Sequence, residues 1–197
     1  LAAAPRIVAA PEGRVLMTRG DPAYVLGEPG GVRDWRVFRE AKPLLDPVSR
    51  TVLGYEARYL GTAEYVRAAE TRDAGDGRVD VVPATFTLTT VREEVGVGDR
   101  LAPAPASDFT SYAPHPPAQA VDGRIISIYG DALTAGQNQI VALNRGRSDN
   151  IERGHVLSLW RDGVRTVDGT DPKRAPIKLP DDRHGLLFVF RVFERVS

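Results

Sequence analysis

The stretch V-A-L-N-R-G-R-S-D-N-I-E-R-G-H-V-L-S-L-W-R, residues 141–161, decides the fold. Its first residues alternate between apolar and smaller side chains, which is typical of a half-buried strand. Turn-forming residues follow at Ser148–Asn150, and Ile151 is a single apolar residue within the turn. Gly154 can adopt backbone angles that a Cβ disfavours, and a second apolar run begins at Val156. The stretch therefore predicts a strand, a tight turn and a strand, which together form a corner of a small β-barrel.

An earlier stretch, E-E-V-G-V-G-D-R-L at residues 93–101, has the same order of residue types. Val95 takes the place of the apolar anchor and Gly98 that of the pivot. A weaker repetition relates Trp35–Arg39 to Leu157–Arg161, and it suggests two related β modules. The repeated corner indicates an architecture and does not indicate a reaction.

The composition bounds the class of protein. The chain has 197 residues, 42% of them hydrophobic, and a formal net charge of zero, so it can bury a core and is not a disordered tail. Neutrality argues against a nucleic-acid partner and against adhesion to an anionic membrane. There is no cysteine, and no apolar run reaches the roughly 20 residues of a membrane-spanning helix. Because the chain begins without methionine, we expect a mature chain or a fragment, with any signal peptide outside it.

Proline divides the chain. Five prolines lie between residues 102 and 119, and regular structure does not tolerate that density. We therefore expect an all-β protein of two small β-barrel-like modules: residues 1–102, a Pro-rich linker at 103–120, and residues 121–197. The alternative is one barrel on which this segment packs as an ordered crossover.

Several strands can be predicted from alternation. Residues 52–67 form a long alternating run, in which Gly61 shifts the phase as a β-bulge would. A helix at residues 62–70 is the competing interpretation, because this part is rich in Ala and Glu. The spacing of the apolar segments within residues 6–17 suits a hairpin, and residues 185–196 predict the strongest strand.

The sequence shows no catalytic or metal-binding pattern. His115, His155 and His184 are isolated, without the H-x-x-x-H or H-E-x-x-H spacing of metal sites. Asp181–Asp182 and Glu93–Glu94 are adjacent carboxylates, and because neighbours on a strand point to opposite faces, neither pair is an obvious general acid/base pair. We therefore predict no catalytic residue, no cofactor and no metal ligand, and we do not expect an enzyme.

The aromatic residues mostly fall on strand positions and are expected to line the core. A tryptophan or tyrosine exposed beside polar groups would instead contact a glycan or a protein partner. The candidates for such contact are Trp35, Tyr129 and Trp160.

A family resemblance rests on four segments: residues 144–161 of the corner, V-L-G-Y-E-A-R-Y-L-G-T-A at 52–63, E-E-V-G-V-G-D-R-L-A-P-A-P at 93–105, and D-G-R-I-I-S-I-Y-G at 122–130. Together they resemble the region downstream of the LysM module in proteobacterial LysM peptidoglycan-binding proteins. The resemblance implies a periplasmic, cell-envelope protein of a Gram-negative bacterium. It also implies that a LysM repeat outside this chain supplies the attachment to peptidoglycan, since no such repeat occurs in the sequence.

We therefore expect a non-enzymatic accessory or scaffolding region, with peptidoglycan or envelope proteins as partners. A direct glycan-binding module is one alternative, and it predicts an exposed aromatic groove. An enzyme acting on the cell wall is another, and it predicts a cleft with clustered carboxylates or histidines. A partner-binding role predicts an apolar surface patch or an exposed strand edge.

Overall fold

The structure is a computed structural model that describes residues 3–27, 30–75, 77–105, 112–130, 132–170 and 172–197. The chain is all-β, as predicted, and the described residues contain no α-helix. Two single-turn 3₁₀-helices occur, at Pro11–Gly13 and Arg147–Asp149. Within the described ranges, no helix has the length and apolar character needed to cross a membrane.

Sixteen strands are present in the described parts of the chain. In the first part they are β1 (Arg6–Ala9), β2 (Leu16–Met17), β3 (Pro22–Leu26), β4 (Asp34–Leu45), β5 (Val52–Arg67), β6 (Glu70–Gly75), β7 (Arg78–Val82), β8 (Ala84–Val91), β9 (Val95–Gly96) and β10 (Arg100–Pro103). In the second part they are β11 (Ile125–Ile128), β12 (Val141–Leu143), β13 (Val156–Arg161), β14 (Arg165–Val167), β15 (Pro176–Lys178) and β16 (Asp182–Phe188).

The chain divides into two compact units. Unit 1 comprises Leu1–Pro43 and Tyr55–Asp108, and unit 2 comprises Leu44–Gly54 and Phe109–Ser197. The later division falls within the Pro-rich segment that the sequence predicted as a linker. The units nevertheless differ from the expected order of consecutive modules, because the end of the β4–β5 hairpin belongs to unit 2.

Unit 1 contains a closed antiparallel barrel with the strand order β1-β10-β4-β5-β8-β3. Closure pairs both edges of the sheet, so that no barrel strand is left with an open side. β1 closes the barrel by pairing with both β10 and β3. The predicted hairpin within residues 6–17 is wrong, because Leu16 and Met17 pair with β9 instead.

The barrel core follows the alternation of its strands. On β8 the residues Ala84, Phe86 and Leu88 are buried, and the threonines between them are partly exposed. Phe86 lies edge-on to Trp35 and to Tyr65, with ring centroids 5.8 and 5.4 Å apart. These contacts make Trp35 and Phe86 part of the hydrophobic core of unit 1, with Tyr65 packed against it.

The long alternating run at residues 52–67 is a strand, β5, over its whole length. The helix considered for residues 62–70 is therefore wrong. Pairing with β8 shifts register between Thr62 and Ala63, directly after Gly61, where the sequence predicted a bulge.

Unit 2 is built from two-stranded antiparallel sheets, β11–β12, β13–β16 and β14–β15. Its buried apolar residues are fewer than those of the barrel and include Leu143, Ile151, Val189 and Val196. The strand predicted at residues 185–196 ends at Phe188. Beyond that point Val189 exchanges backbone hydrogen bonds with Gly154 and His155, and the chain leaves the sheet.

Candidate functional site

The first corner, at residues 93–101, and the second corner, at residues 141–161, turn on glycines of the same conformation. Gly98 has a φ of 97° and Gly154 a φ of 96°, in turns just before β10 and β13. In each corner the glycine N–H donates to a neighbouring strand, at 2.9 Å to the carbonyl of Ile7 and at 2.8 Å to that of Val189. The interpretation of these glycines as pivots between two strands is confirmed.

The residue after each pivot accepts a hydrogen bond from the backbone three residues earlier. The Gly96 N–H donates to Asp99 Oδ2 at 2.7 Å, and the Glu152 N–H donates to His155 Nδ1 at 3.2 Å. Both side chains are 4% exposed. A buried N–H in this turn needs an acceptor, so the position requires a side chain with a free lone pair.

In the first corner the acceptor belongs to an ion pair. Arg39 donates from Nε and one Nη to the two carboxylate oxygens of Asp99, at 2.8 and 2.9 Å. The same guanidinium donates to the carbonyl of Glu94 at 2.8 Å. The hydrogen bond to Asp99 raises the pKa of Arg39 above its ordinary value. These contacts fix the carboxylate and the guanidinium in place, and the arrangement is structural.

In the second corner the acceptor faces another histidine. His115 pairs with His155 in a parallel bridge, and its N–H donates to the carbonyl of Gly154 at 2.9 Å. The two imidazole rings lie edge to face, with centroids 4.9 Å apart. His115 Nδ1 lies 2.9 Å from the carbonyl oxygen of Ala113. Part of the Pro-rich segment is therefore paired within unit 2.

Glu152 completes a cluster with these two histidines. One potential ligand atom from each of His115, Glu152 and His155 lies within 4.8 Å of the other two. Sequence reasoning missed this set because it searched for histidines at short spacing, whereas a bridge between distant segments brings these together. His184 is not part of the cluster and lies 3.6 Å from a carboxylate oxygen of Asp182.

A second feature of unit 2 is an apolar face that is open to solvent. Leu186 and Phe188 alternate along β16, Phe190 follows beyond its end, and the three are 62, 44 and 45% exposed. Ser158 pairs with Leu186, and Trp160 lies two residues further along β13 with an exposure of 58%. Strand alternation places Trp160, Leu186 and Phe188 on one side of the ribbon, and Phe190 follows just beyond the end of β16. We refer to Trp160, Leu186, Phe188 and Phe190 as the exposed apolar face.

The three predicted contact residues fall in different environments. Trp35 is 2% exposed and donates from Nε1 to the carbonyl of Val32 at 2.9 Å, which corrects its place among the candidates. Its ring is large and apolar and fills the barrel core. Tyr129 and Trp160 are exposed, and Trp160 belongs to the exposed apolar face. The structure does not bring Trp35 to the surface with the other two.

The adjacent carboxylates are engaged in local structure. Asp181 accepts hydrogen bonds from the Gly163 N–H at 2.8 Å and from Lys178 Nζ at 2.9 Å. The first of these is the main cause that lowers the pKa of Asp181. Glu93 forms an ion pair with Arg58 at 2.5 Å. Turn capping accounts for Asp181, and a surface ion pair accounts for Glu93.

Comparison with known proteins adds no family to these observations, and the resemblance to the region downstream of LysM modules stays a prediction. No protein-family model matches the chain, and neither a curated protein nor a solved structure matches it.

Proposed function

We propose that this chain is a non-enzymatic accessory region that scaffolds a partner protein of the bacterial cell envelope. The observation that carries the proposal is the exposed apolar face of β13 and β16. Its four large side chains are 44–62% exposed, whereas Leu157, Leu159 and Leu187 on the opposite side of the two-stranded ribbon are partly buried.

The chemistry of this face suits a protein partner. Large exposed apolar side chains grouped on one surface are the usual mark of an interaction site. Tryptophan and phenylalanine contribute much of the binding energy when a partner covers them. Each strand of a two-stranded sheet also has one side whose backbone groups are not paired within that sheet. The partner is therefore expected to offer apolar side chains, on a strand or on an amphipathic helix.

The location in the envelope rests on the family resemblance of the sequence. In this proposal a LysM repeat elsewhere in the protein holds peptidoglycan, and the present chain positions a second protein beside it. The exposed apolar face then acts only in assembly, which requires no catalytic group.

Site-specific photo-crosslinking in native envelopes tests the proposal. A photoreactive amino acid at Leu186 is expected to give a discrete crosslinked partner, which is lost when Trp160 and Phe188 are replaced by serine. Val81 is the matched control, because it is an apolar strand residue of unit 1 that is 61% exposed. Equal crosslinking from Leu186 and Val81, or none from Leu186, would contradict the proposal.

Direct glycan binding is a second candidate, favoured by the exposed rings of Tyr129 and Trp160. Aromatic rings can stack on sugar faces, although polar side chains usually flank such rings, whereas Leu186 and Phe188 accompany Trp160. Co-sedimentation with purified sacculi separates the two functions. Retention of the wild-type chain, and its loss in Trp160→Ala but not in Val81→Ala, would support the glycan function.

A further inference from the structure

We propose that His115, Glu152 and His155 of unit 2 form a binding site for a divalent transition-metal ion such as Zn²⁺. The site consists of two imidazoles and one carboxylate, whose ligand atoms lie within 4.8 Å of one another. Imidazole nitrogen favours zinc, copper, nickel and iron, whereas magnesium and calcium favour sets of oxygen ligands. The site does not depend on the partner-binding function, and its test is independent of that function.

His115 makes the kind of backbone contact that a metal-binding histidine usually makes. A carbonyl oxygen can only accept, so the contact of 2.9 Å with Ala113 places the proton of the neutral ring on Nδ1. The lone pair is then on Nε2, the ring nitrogen that does not contact Ala113 and that can bind a metal ion. A backbone carbonyl that accepts from one ring nitrogen while the other is a ligand is the common outer contact of metal sites. The exposed ring can also adjust its position.

His155 supplies a buried nitrogen, and binding there has a specific consequence. Nδ1 accepts from the Glu152 N–H at 3.2 Å, so the lone pair of the neutral ring is already used. An ion on Nδ1 displaces this N–H directly. An ion on Nε2 requires the ring proton to be on Nδ1, and a protonated Nδ1 cannot accept from the Glu152 N–H. In both cases metal binding breaks the hydrogen bond between the Glu152 amide and His155.

Glu152 lies on the exposed surface of the turn, where an ion can approach from solvent. Zinc bonds to nitrogen and oxygen are about 2.0–2.2 Å long, so tetrahedral ligand atoms are roughly 3.4 Å apart. The cluster closes to this spacing by small movements of its two exposed members, while buried His155 stays in place. Three protein ligands leave a fourth position for water.

The bound ion would link two segments that are distant in sequence. His115 lies in the Pro-rich segment, and the other two ligands lie in the second corner. The pairing between these segments consists of few backbone hydrogen bonds, at Gly154 and Val156. An ion shared by their side chains stabilises this junction in the folded state only.

Titration of the whole chain with Zn²⁺ alone, followed by calorimetry and by ¹H–¹⁵N NMR, tests the proposal. We expect one equivalent to bind and the Glu152 amide resonance to shift as its hydrogen bond is lost. The Gly96 amide is an internal control, because it makes the equivalent bond to Asp99 in the first corner. Mg²⁺ at the same concentration is expected to shift neither amide.

Substitutions separate this site from adventitious binding. His115→Ala keeps both backbone hydrogen bonds of the bridge, so the fold should persist, and zinc affinity should fall by about tenfold or more. Glu152→Gln should weaken binding in the same direction. His184→Ala, which removes an exposed histidine beside Asp182, should leave the affinity unchanged. Zinc binding that survives His115→Ala, or a Glu152 amide that does not respond to saturating zinc, would overturn the proposal.

Discussion

The side-chain amide of Asn144 donates a hydrogen bond of 2.9 Å to Asp46 across 98 residues of sequence. Asn144 is 7% exposed, and its Oδ1 accepts from the Arg124 N–H at 2.6 Å. One buried amide therefore joins the end of the β4–β5 hairpin to the segment before β11 within unit 2. The other oxygen of Asp46 accepts from the backbone of Val48 and Ser49.

These donors predict an acid-sensitive junction. The Ser49 N–H and then the Asn144 amide lower the pKa of Asp46 from 3.8 to about 2. A lowered folded-state pKa contributes stability that is present above the ordinary value and is lost as the pH falls from about 4 through 2. In Asn144→Ala, the pKa of Asp46 should rise and stay below 3.8, because Ser49 still donates. A ¹³C NMR titration of the carboxyl groups measures this change.

Asp21 of unit 1 is the control for that titration. The Thr18 N–H lowers its pKa, and no part of unit 2 contributes to the shift. The titration of Asp21 should be the same in the wild-type chain and in Asn144→Ala. An unchanged pKa of Asp46 in Asn144→Ala would show that the amide does not stabilise the carboxylate.

Replacement of the two pivot glycines by alanine should reduce stability by different amounts. A Cβ at Gly98 meets nothing within 4 Å, so Gly98→Ala measures only the positive φ, at about 1–2 kcal/mol. A Cβ at Gly154 lies 2.9 Å from the Ala113 carbonyl oxygen and 3.0 Å from His115 Cε1. Gly154→Ala should therefore cost more, since it adds a clash with the Pro-rich segment.

Native-state hydrogen exchange measures each substitution within its own unit. The Leu101 amide reports on unit 1 and the Val156 amide on unit 2. Gly169→Ala is the control, because a Cβ there meets nothing and its φ is ordinary. Equal losses of stability for Gly98→Ala and Gly154→Ala would contradict this prediction. They would mean that the Pro-rich segment moves away from the added Cβ without a loss of stability.

Asp99 should be essential to the stability of the barrel. Asp99→Ala leaves the Gly96 N–H without its acceptor and Arg39 without its carboxylate, and should cost about 1–3 kcal/mol in the free energy of unfolding. Asp99→Asn keeps an acceptor oxygen and loses the charge, so a smaller loss is expected. Urea denaturation gives the comparison, with Glu12→Ala as the control at a side chain that is 80% exposed. Identical midpoints for Asp99→Ala and Glu12→Ala would refute the assigned role.

The two tryptophans of the chain should report opposite environments. Trp160→Phe leaves only Trp35, which is 2% exposed, so the emission should be blue-shifted and weakly quenched by acrylamide. Trp35→Phe leaves Trp160, at 58% exposure, with red-shifted and strongly quenched emission. Shielding of Trp160 in the isolated chain would mean that the exposed apolar face is already covered.

Local features of the sequence predicted the corners well. An apolar anchor, a glycine pivot and a following strand lie within seven residues, so their geometry depends on turn chemistry that is readable along the chain. Val95 and Ile151 are both fully buried, at 0 and 1% exposed. The bulge after Gly61 was predictable for the same reason, because a change of phase is a local property.

Pairing between distant segments was not predictable in this way. β1 pairs with β3 and β10, since closure of the barrel outweighs the nearest hairpin partner. The weaker repetition compared Trp35–Arg39, which lies in β4, with Leu157–Arg161, which lies in β13. The shared corner instead makes β10 the counterpart of β13, because each of these strands follows a pivot glycine. The cluster of His115 with His155 arises from a single bridge, and neither residue carries a local signal of it.

The discontinuity of unit 2 also governs the order in which it can fold during synthesis. Leu44–Gly54 leaves the ribosome before its partners, since Asn144 follows Asp46 by 98 residues and Arg195 follows Thr51 by 144. This unit is therefore complete only after Arg195 and Val196 have been synthesised. A gene fragment that encodes only residues 109–197 produces a chain without Leu44–Gly54, which is the earlier part of unit 2.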